Sequence, residues 1–395
     1  MEPVQHSPSS ASPDGAVAIY LDGAGATPVL AQAAEATLRA MDEFGDPRSP
    51  NRAGRHAQAL IERSLTTVAG VLGADVDEVH PATSGTHANA LAILGAQSAE
   101  SGRIVVSALE HGSVTAAADA TGFEVVEVPC DGDGRVDVDR FAAEVARPGT
   151  TLASIHHTSP DLGTMQPVAE CARIARQAGV RFHTDACQSA ASLPLDAGAM
   201  GVDLLTVSSH KAYGPPGAAV LFARRGIRVD PLLRGEPRPA RAAAAPDVPA
   251  LAGMAEALQA LQPEIADLAA RLWGLSARLR AGLDDPGAGM RVLGHSTHRV
   301  PHLVSVAVSD IDRETLFMTL EDRGLLVGEA RSDVLMRAGL ARAGDVVVRL
   351  GLTRDSTDAD VDRVLEVLPD TARRLRGISR RAAARFSPGD GGPGG

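Results

Sequence analysis

Val207-Ser208-Ser209-His210-Lys211-Ala212-Tyr213-Gly214-Pro215-Pro216-Gly217 is an apolar run that ends in a polar cluster, presents a lysine, and breaks into a Gly/Pro turn. A strand that ends this way in an open α/β sheet delivers its last polar residues to the carboxyl edge, where ligands bind. The lysine is singular. Of the 38 basic residues in the chain, Lys211 is the only one that is not arginine. Arginine replaces lysine in ion pairs and at the surface, but it does not deprotonate near neutral pH and cannot form an imine, so a lone lysine in an arginine background points to covalent chemistry at its amine.

Outward from that stretch, apolar runs rich in β-branched residues alternate with helical spacing. Residues 104–109, 124–130, 151–157, 180–186, 204–209 and 218–223 read as strands, and 168–178 as a helix whose Ala169, Cys171, Ala172, Ile174 and Ala175 cover the sheet. Alternation of this kind predicts an α/β domain with a mostly parallel sheet. A Pro- and Ala-rich stretch, 234–249, interrupts it, and a long helical segment, 251–283, broken at Pro263, leads to a smaller α+β region with strands at 302–309 and 346–352 and helices at 312–323 and 358–376. The expected organisation is a lead-in at 1–16, a large domain at 17–262 whose N-terminal segment contributes to the small domain or a dimer interface, a small domain at 263–386, and a Gly/Pro-rich tail at 387–395.

Composition narrows the function classes. At 395 residues with 44% hydrophobic and 22% charged residues the chain reads as a globular enzyme of two domains. No apolar run approaches the ~18 residues of a membrane span, the first residues lack the pattern of a signal peptide, and a cytoplasmic location is expected. A net charge of −11 without a basic cluster beside aromatics argues against nucleic acid. Cys130, Cys171 and Cys187 form neither a C-x-x-C pair nor an even set, so neither a disulfide framework nor a metal site is expected.

Two further clusters share the character of the first. His183-Thr184-Asp185-Ala186-Cys187-Gln188 closes an apolar strand with a carboxylate, which can pair with a protonated pyridine nitrogen. Ala82-Thr83-Ser84-Gly85-Thr86-His87 precedes the helical run 88–96 and offers free backbone N–H groups and hydroxyls, the makings of a phosphate cradle.

In order, Tyr20-Leu21-Asp22, Ser84-Gly85-Thr86, Glu110-His111, Gly163 with Gln166-Pro167, His183-Thr184-Asp185 with Gln188, Gly201-Val202-Asp203-Leu204-Leu205 and the Lys211 stretch resemble the class V aminotransferase family, in particular its cysteine desulfurase branch. The resemblance runs from about Ile19 to Arg374. It implies the PLP-dependent transferase fold type I, pyridoxal 5′-phosphate as cofactor, an amino-acid substrate and a homodimer. It also implies roles: Lys211 holds the cofactor as a Schiff base and acts as base, Asp185 pairs with the pyridine nitrogen, and Gln188 contacts the phenolic oxygen. His111 stacks on the ring, while Gly85, Thr86, Ser208 and His210 hold the phosphate. Arg354, in Arg349-Leu350-Gly351-Leu352-Thr353-Arg354, clamps the substrate carboxylate.

The pattern also breaks. The branch carries a nucleophilic cysteine on a small-domain loop; here the equivalent stretch, 324–335, is shorter and has no cysteine. Ser159-Pro160 replace a pair of asparagines ahead of Asp161-Leu162-Gly163, and 242–245 is all alanine where the family carries a phosphate-binding hydroxyl for its neighbour. Gly23 and Gly25 stand where larger residues are usual and are expected to leave room for a larger substrate. His156 and His157, at a strand end, are read as structural. With no loop thiol, the expected reaction is β-elimination from an S-substituted cysteine, giving a thiol, pyruvate and ammonia. The alternatives are decarboxylation-coupled deamination of such a conjugate, transamination, or a desulfurase-like activity.

Overall fold

The computed structural model describes residues 18–96, 101–232 and 246–386, apart from the side chains of 379–386. The lead-in, the tail, the alanine run 242–245 and most of 234–249 lie outside the described residues.

Among the described residues twelve strands form two sheets. In chain order they are β1 Ile19–Leu21, β2 Val79–Ala82, β3 Arg103–Ser107, β4 Glu124–Val128, β5 Thr150–Ser154, β6 Arg181–Asp185, β7 Leu204–Ser208, β8 Ala219–Ala223, β9 Met290–Leu293, β10 Leu303–Val308, β11 Leu325–Glu329 and β12 Val346–Gly351. The larger sheet has the order β2-β8-β7-β6-β5-β3-β4; β4, β3, β5, β6 and β7 are parallel, and β8 runs antiparallel between β7 and β2. Burial explains the near-continuous apolar runs of its middle strands: every residue of β3, β7 and β8 is buried. Side chains alternate between faces, so Ile104, Val106, Leu204 and Leu221 join one core while Val105, Leu205, Val220 and Phe182 join the other. The expected strands are all present, each shorter by one or two residues.

The smaller sheet has the order β1-β11-β12-β10-β9 and its own core, to which the helices Ile265–Leu283 and Asp358–Phe386 contribute Leu272, Leu279, Val364 and Leu368. β1 comes from the N-terminal end of the chain yet pairs in parallel with β11, Tyr20 opposite Leu326. The segment 251–283 forms two helices, Val248–Leu261 and Ile265–Leu283, separated at Pro263 as its ring requires. A further apolar cluster joins Leu109 and Leu162 from beside the large sheet to Leu293, Leu335, Leu340 and Val347. The two sheets are therefore held in a defined relation around the carboxyl edge of β3, β5, β6 and β7.

Candidate active site

That edge gathers most of the polar residues singled out in the sequence. Lys211 ends a 3-10 turn, Ser209–Lys211, directly after β7 and is half-buried. The turn is anchored from behind: Tyr213 adopts φ 60°, its N–H donates to Thr27 Oγ1 at 2.7 Å, and its hydroxyl accepts from the Arg354 N–H at 2.8 Å. The left-handed backbone at a buried tyrosine costs free energy and persists because the surroundings over-determine it. The Lys211 charge reaches Asp185, Cys187, His111 and His302, which places these groups around one space.

Asp185 is the last residue of β6 and 8% exposed. Burial alone would raise its pKa, but its Oδ2 accepts from Asn89 Nδ2 at 2.8 Å and its Oδ1 from the Cys187 N–H at 2.9 Å. These bonds and the Lys211 charge hold the carboxyl below its ordinary value, so it is an anion with its acceptors aimed. A buried anion of this kind suits a cationic ring nitrogen.

His111 caps the helix Gly112–Ala120 at the end of the β3 loop, its Nδ1 accepting from the Ser113 N–H at 3.2 Å. Burial first, then the charges of Lys211 and Arg331, lower its pKa against the opposing pull of Asp185, so the ring is neutral near pH 7. Beside it, Glu110 is buried, accepts from the His156 N–H at 2.7 Å and lies 3.5 Å from His156 Nδ1. Burial raises the Glu110 carboxyl despite that histidine. His156 Nε2 meets Gln166 Nε2, whose amide also donates to Gly134 O, and His157 is pushed by burial down to about 4. His156 thus has polar neighbours, whereas His157 Nδ1 is buried with no hydrogen-bond partner.

The cradle is formed where Ser84 caps the helix Gly85–Ala90, its Oγ accepting from the His87 N–H at 3.1 Å. A Cβ at Gly85 would stand 3.0 Å from Cys187 Sγ and 3.4 Å from Ser208 Cβ, so only glycine lets this turn close on the end of β7. Ser208 Oγ is buried there with no partner, a hydroxyl prepared for an acceptor the protein does not supply. Thr86 is exposed and His210 half-buried on either side. Gln188, nearly buried, donates to Ala24 O at 2.7 Å. An aimed carboxylate, an amine, a neutral imidazole and an orphaned hydroxyl beside a helix N-terminus fit pyridoxal phosphate.

Arg354 lies farther out, its guanidinium paired with Glu264 at 3.1 Å and its carbonyl accepting from Arg271. The glycine expectation is corrected. A Cβ at Gly23 would stand 2.9 Å from the carbonyl oxygens of Gly351 and Leu352, and one at Gly25 would stand 2.6 Å from Asp22 Oδ2. These glycines admit the β12 backbone and the Asp22 carboxylate, which pairs with Arg349 at 3.1 Å, and open no extra room. The stretch 324–335 is not a loop: β11 runs into Arg331 and then the helix Ser332–Arg337. Arg331 reaches across to Asp161 Oδ2 at 2.6 Å and to Glu110 O at 2.8 Å.

Three contacts escaped the sequence reading. Asn89 carried a readable signal, since it follows Gly85 by one helical turn and so shares its face. Arg331 and His302 carried none. His302 is 3% exposed, bonds through Nδ1 to Ser192 Oγ at 2.8 Å, and is pushed by burial, then by Arg349 and Lys211, down to about 4. No cysteine is poised as a nucleophile: burial raises Cys171 to about 12, Cys187 well above its ordinary value, and Cys130 to a lesser degree. Among the described residues no group of His, Cys, Asp and Glu could hold a metal ion, and no helix is long and apolar enough to cross a membrane.

The model of the family described as "Aminotransferase class-V" matches residues 19–364. A "Cysteine desulfurase IscS" of Methanosarcina thermophila is 33% identical, covering 92% of this chain and 94% of its own. One from Anaeromyxobacter dehalogenans is 34% identical over the same shares. Among solved structures, a "NIFS-LIKE PROTEIN" superposes with a TM-score of 0.85 at 24% identity, covering 91% of this chain and all of that one. A NifS-like protein from Rickettsia africae gives 0.84 at 23%, covering 90% and 99%.

Proposed function

This chain belongs to the class V aminotransferase family, whose members are pyridoxal-phosphate enzymes, and from that premise we propose that it is a C–S β-lyase acting on an S-substituted cysteine. The observation that carries the reading is the absence of a usable thiol. Sulfur transfer to the enzyme needs a mobile, ionisable cysteine, whereas the three present are free but have raised pKa values, and Arg331, in the cysteine-free stretch 324–335, is bonded to Asp161. Elimination needs none: the C–S bond breaks, the sulfur leaves as thiolate, and hydrolysis of the remaining fragment gives pyruvate and ammonia.

When bound, pyridoxal phosphate supplies an electron-withdrawing ring that stabilises negative charge at the substrate Cα. In this reading Lys211 Nζ would hold the cofactor, and its amine would take the substrate Cα proton. Asp185 would keep a proton on the ring nitrogen through a charge-assisted bond; Ser208 Oγ, Thr86, His210 and the Gly85 N–H would hold the phosphate, and Gln188 would contact the phenolic oxygen. Arg354 presents a fork to the substrate carboxylate once Glu264 yields it. A homodimer, usual in the family, is part of this proposal, as is a small cysteine-derived substrate.

The relatives' names support a second reading, desulfuration with a sulfur acceptor other than a cysteine of this chain. Products separate the two. Incubation with a panel of S-alkyl- and S-aryl-cysteines is expected to release thiol and pyruvate in equal amounts; alanine from free cysteine, with no pyruvate from any conjugate, overturns the lyase. Borohydride reduction followed by peptide mapping is expected to place the cofactor on Lys211, and Lys211→Ala is expected to abolish the adduct and lower turnover by at least about a thousandfold.

A further inference from the structure

Four side chains from three parts of the chain form one hydrogen-bonded line across the site. Asn89 Nδ2 donates to Asp185 Oδ2 at 2.8 Å and also to Ser113 Oγ at 2.9 Å, and Ser113 Oγ lies 2.7 Å from His111 Nδ1. The direction of each proton follows from the donors whose positions are set by the backbone. The Ser113 N–H points at His111 Nδ1, 3.2 Å away, so Nδ1 must offer its lone pair. The Ser113 hydroxyl, already accepting from Asn89, then has its own proton free for the same nitrogen. Asn89 in turn must face Asp185 and Ser113 with its amino group, because the reverse orientation sets a carbonyl against a carboxylate. Its Oδ1 is left buried without a partner, the cost of directing both donors into this line.

We infer that Asn89 and Ser113 are positioning residues that tie His111 to Asp185 and fix the imidazole as the Nε2–H tautomer. Nε2 makes no hydrogen bond to any described residue and is not fully buried, so its N–H is the atom the ring offers to the site. His111 is thereby a hydrogen-bond donor to an acceptor atom of the bound substrate. It is not a base, for its lone pair is turned away and occupied by Ser113, and it is not a proton carrier, for losing the Nε2 proton would leave an anion beside Asp185. The removal of the Cα proton falls to Lys211. The inference rests on the lyase reading only for the identity of the acceptor, a sulfur leaving from Cβ; the tautomer stands on the hydrogen bonds alone.

The test is nitrogen NMR on the full-length holoenzyme labelled with ¹⁵N-histidine, the His111 signals being identified by their loss in His111→Gln. Nδ1 is expected to report an unprotonated nitrogen and Nε2 a protonated one between pH 6.5 and 8. A protonated Nδ1 overturns the inference. Ser113→Ala is expected to move both resonances toward an average of the two tautomers and to lower kcat about threefold to tenfold with KM little changed, while Ser113→Thr restores both. Unchanged resonances in a folded Ser113→Ala protein also overturn it. Because the resonances are read without turnover, a conjugate panel that releases nothing would sink the lyase reading and leave this one standing.

Discussion

Glu264 is the residue that a substrate carboxylate would displace if Arg354 binds it as proposed. Its pair with Arg354 is half-exposed, with the carboxylate side 57% and the guanidinium side 31% accessible, and pairs of that kind contribute about 0–1 kcal/mol. In the proposed role, exchange for the α-carboxylate of an amino acid would therefore cost little. Glu264→Gln is expected to lower KM for an amino-acid substrate by up to about fivefold with kcat unchanged, since it removes a competitor and nothing that touches the reaction. Arg354→Lys is expected to raise KM, because a point charge cannot reproduce the bidentate fork. Steady-state kinetics of the two variants check both, and an unaltered KM in each would remove Arg354 from substrate binding.

At the scale of elements, the junction of β11 with the helix Ser332–Arg337 fastens the smaller sheet to the edge of the larger one. Arg331 donates to both oxygens of Asp161, through its own N–H at 2.9 Å and through the guanidinium at 2.6 Å, and to the carbonyls of Leu109 and Glu110. Asp161 is 1% exposed, so its carboxylate has no solvent to fall back on. Removal of one partner of a buried pair typically costs about 3–5 kcal/mol; with Arg331 itself 30% accessible, about 2–3 kcal/mol is expected for Arg331→Ala, read from urea midpoints. The double variant Arg331→Met with Asp161→Asn is expected to recover part of that loss, and strictly additive single effects would deny the coupling.

For the whole molecule, three histidines set a pH window. His157, His183 and His302 are each pushed by burial from 6.5 down to about 4 in the folded chain. Between those values the unfolded chain binds more protons, so stability rises with pH through the window and is lost as the solution is acidified below about 6.5. Each ring contributes on the order of 1–3 kcal/mol across the full window. Glu110, raised by burial, works in the opposite direction, while His87, His111 and His210, also lowered by burial, add to the slope of the three rings. Urea unfolding between pH 4 and 7.5 is expected to show the fall, and His302→Gln to flatten it; a slope unchanged by that variant would mean that His302 is not buried as a neutral ring.

Much of this was legible in the linear chain. The strands of the large sheet were readable because their burial on both faces leaves unbroken β-branched runs, and the carboxyl-edge residues because each run ends abruptly in polar groups. The lone lysine needed only a count. What was not legible joins distant residues: Asn89 with Asp185, Arg331 with Asp161, Asp22 with Arg349, and β1 with β11. Local sequence sets backbone preference and apolar periodicity, both of which act within a few residues, so element type, strand ends and the amine were settled there. Which polar side chains meet, which glycines serve close packing rather than open space, and which way a histidine holds its proton depend on contacts closed across the whole chain. Those contacts exist only after both sheets have packed and water has left the edge between them.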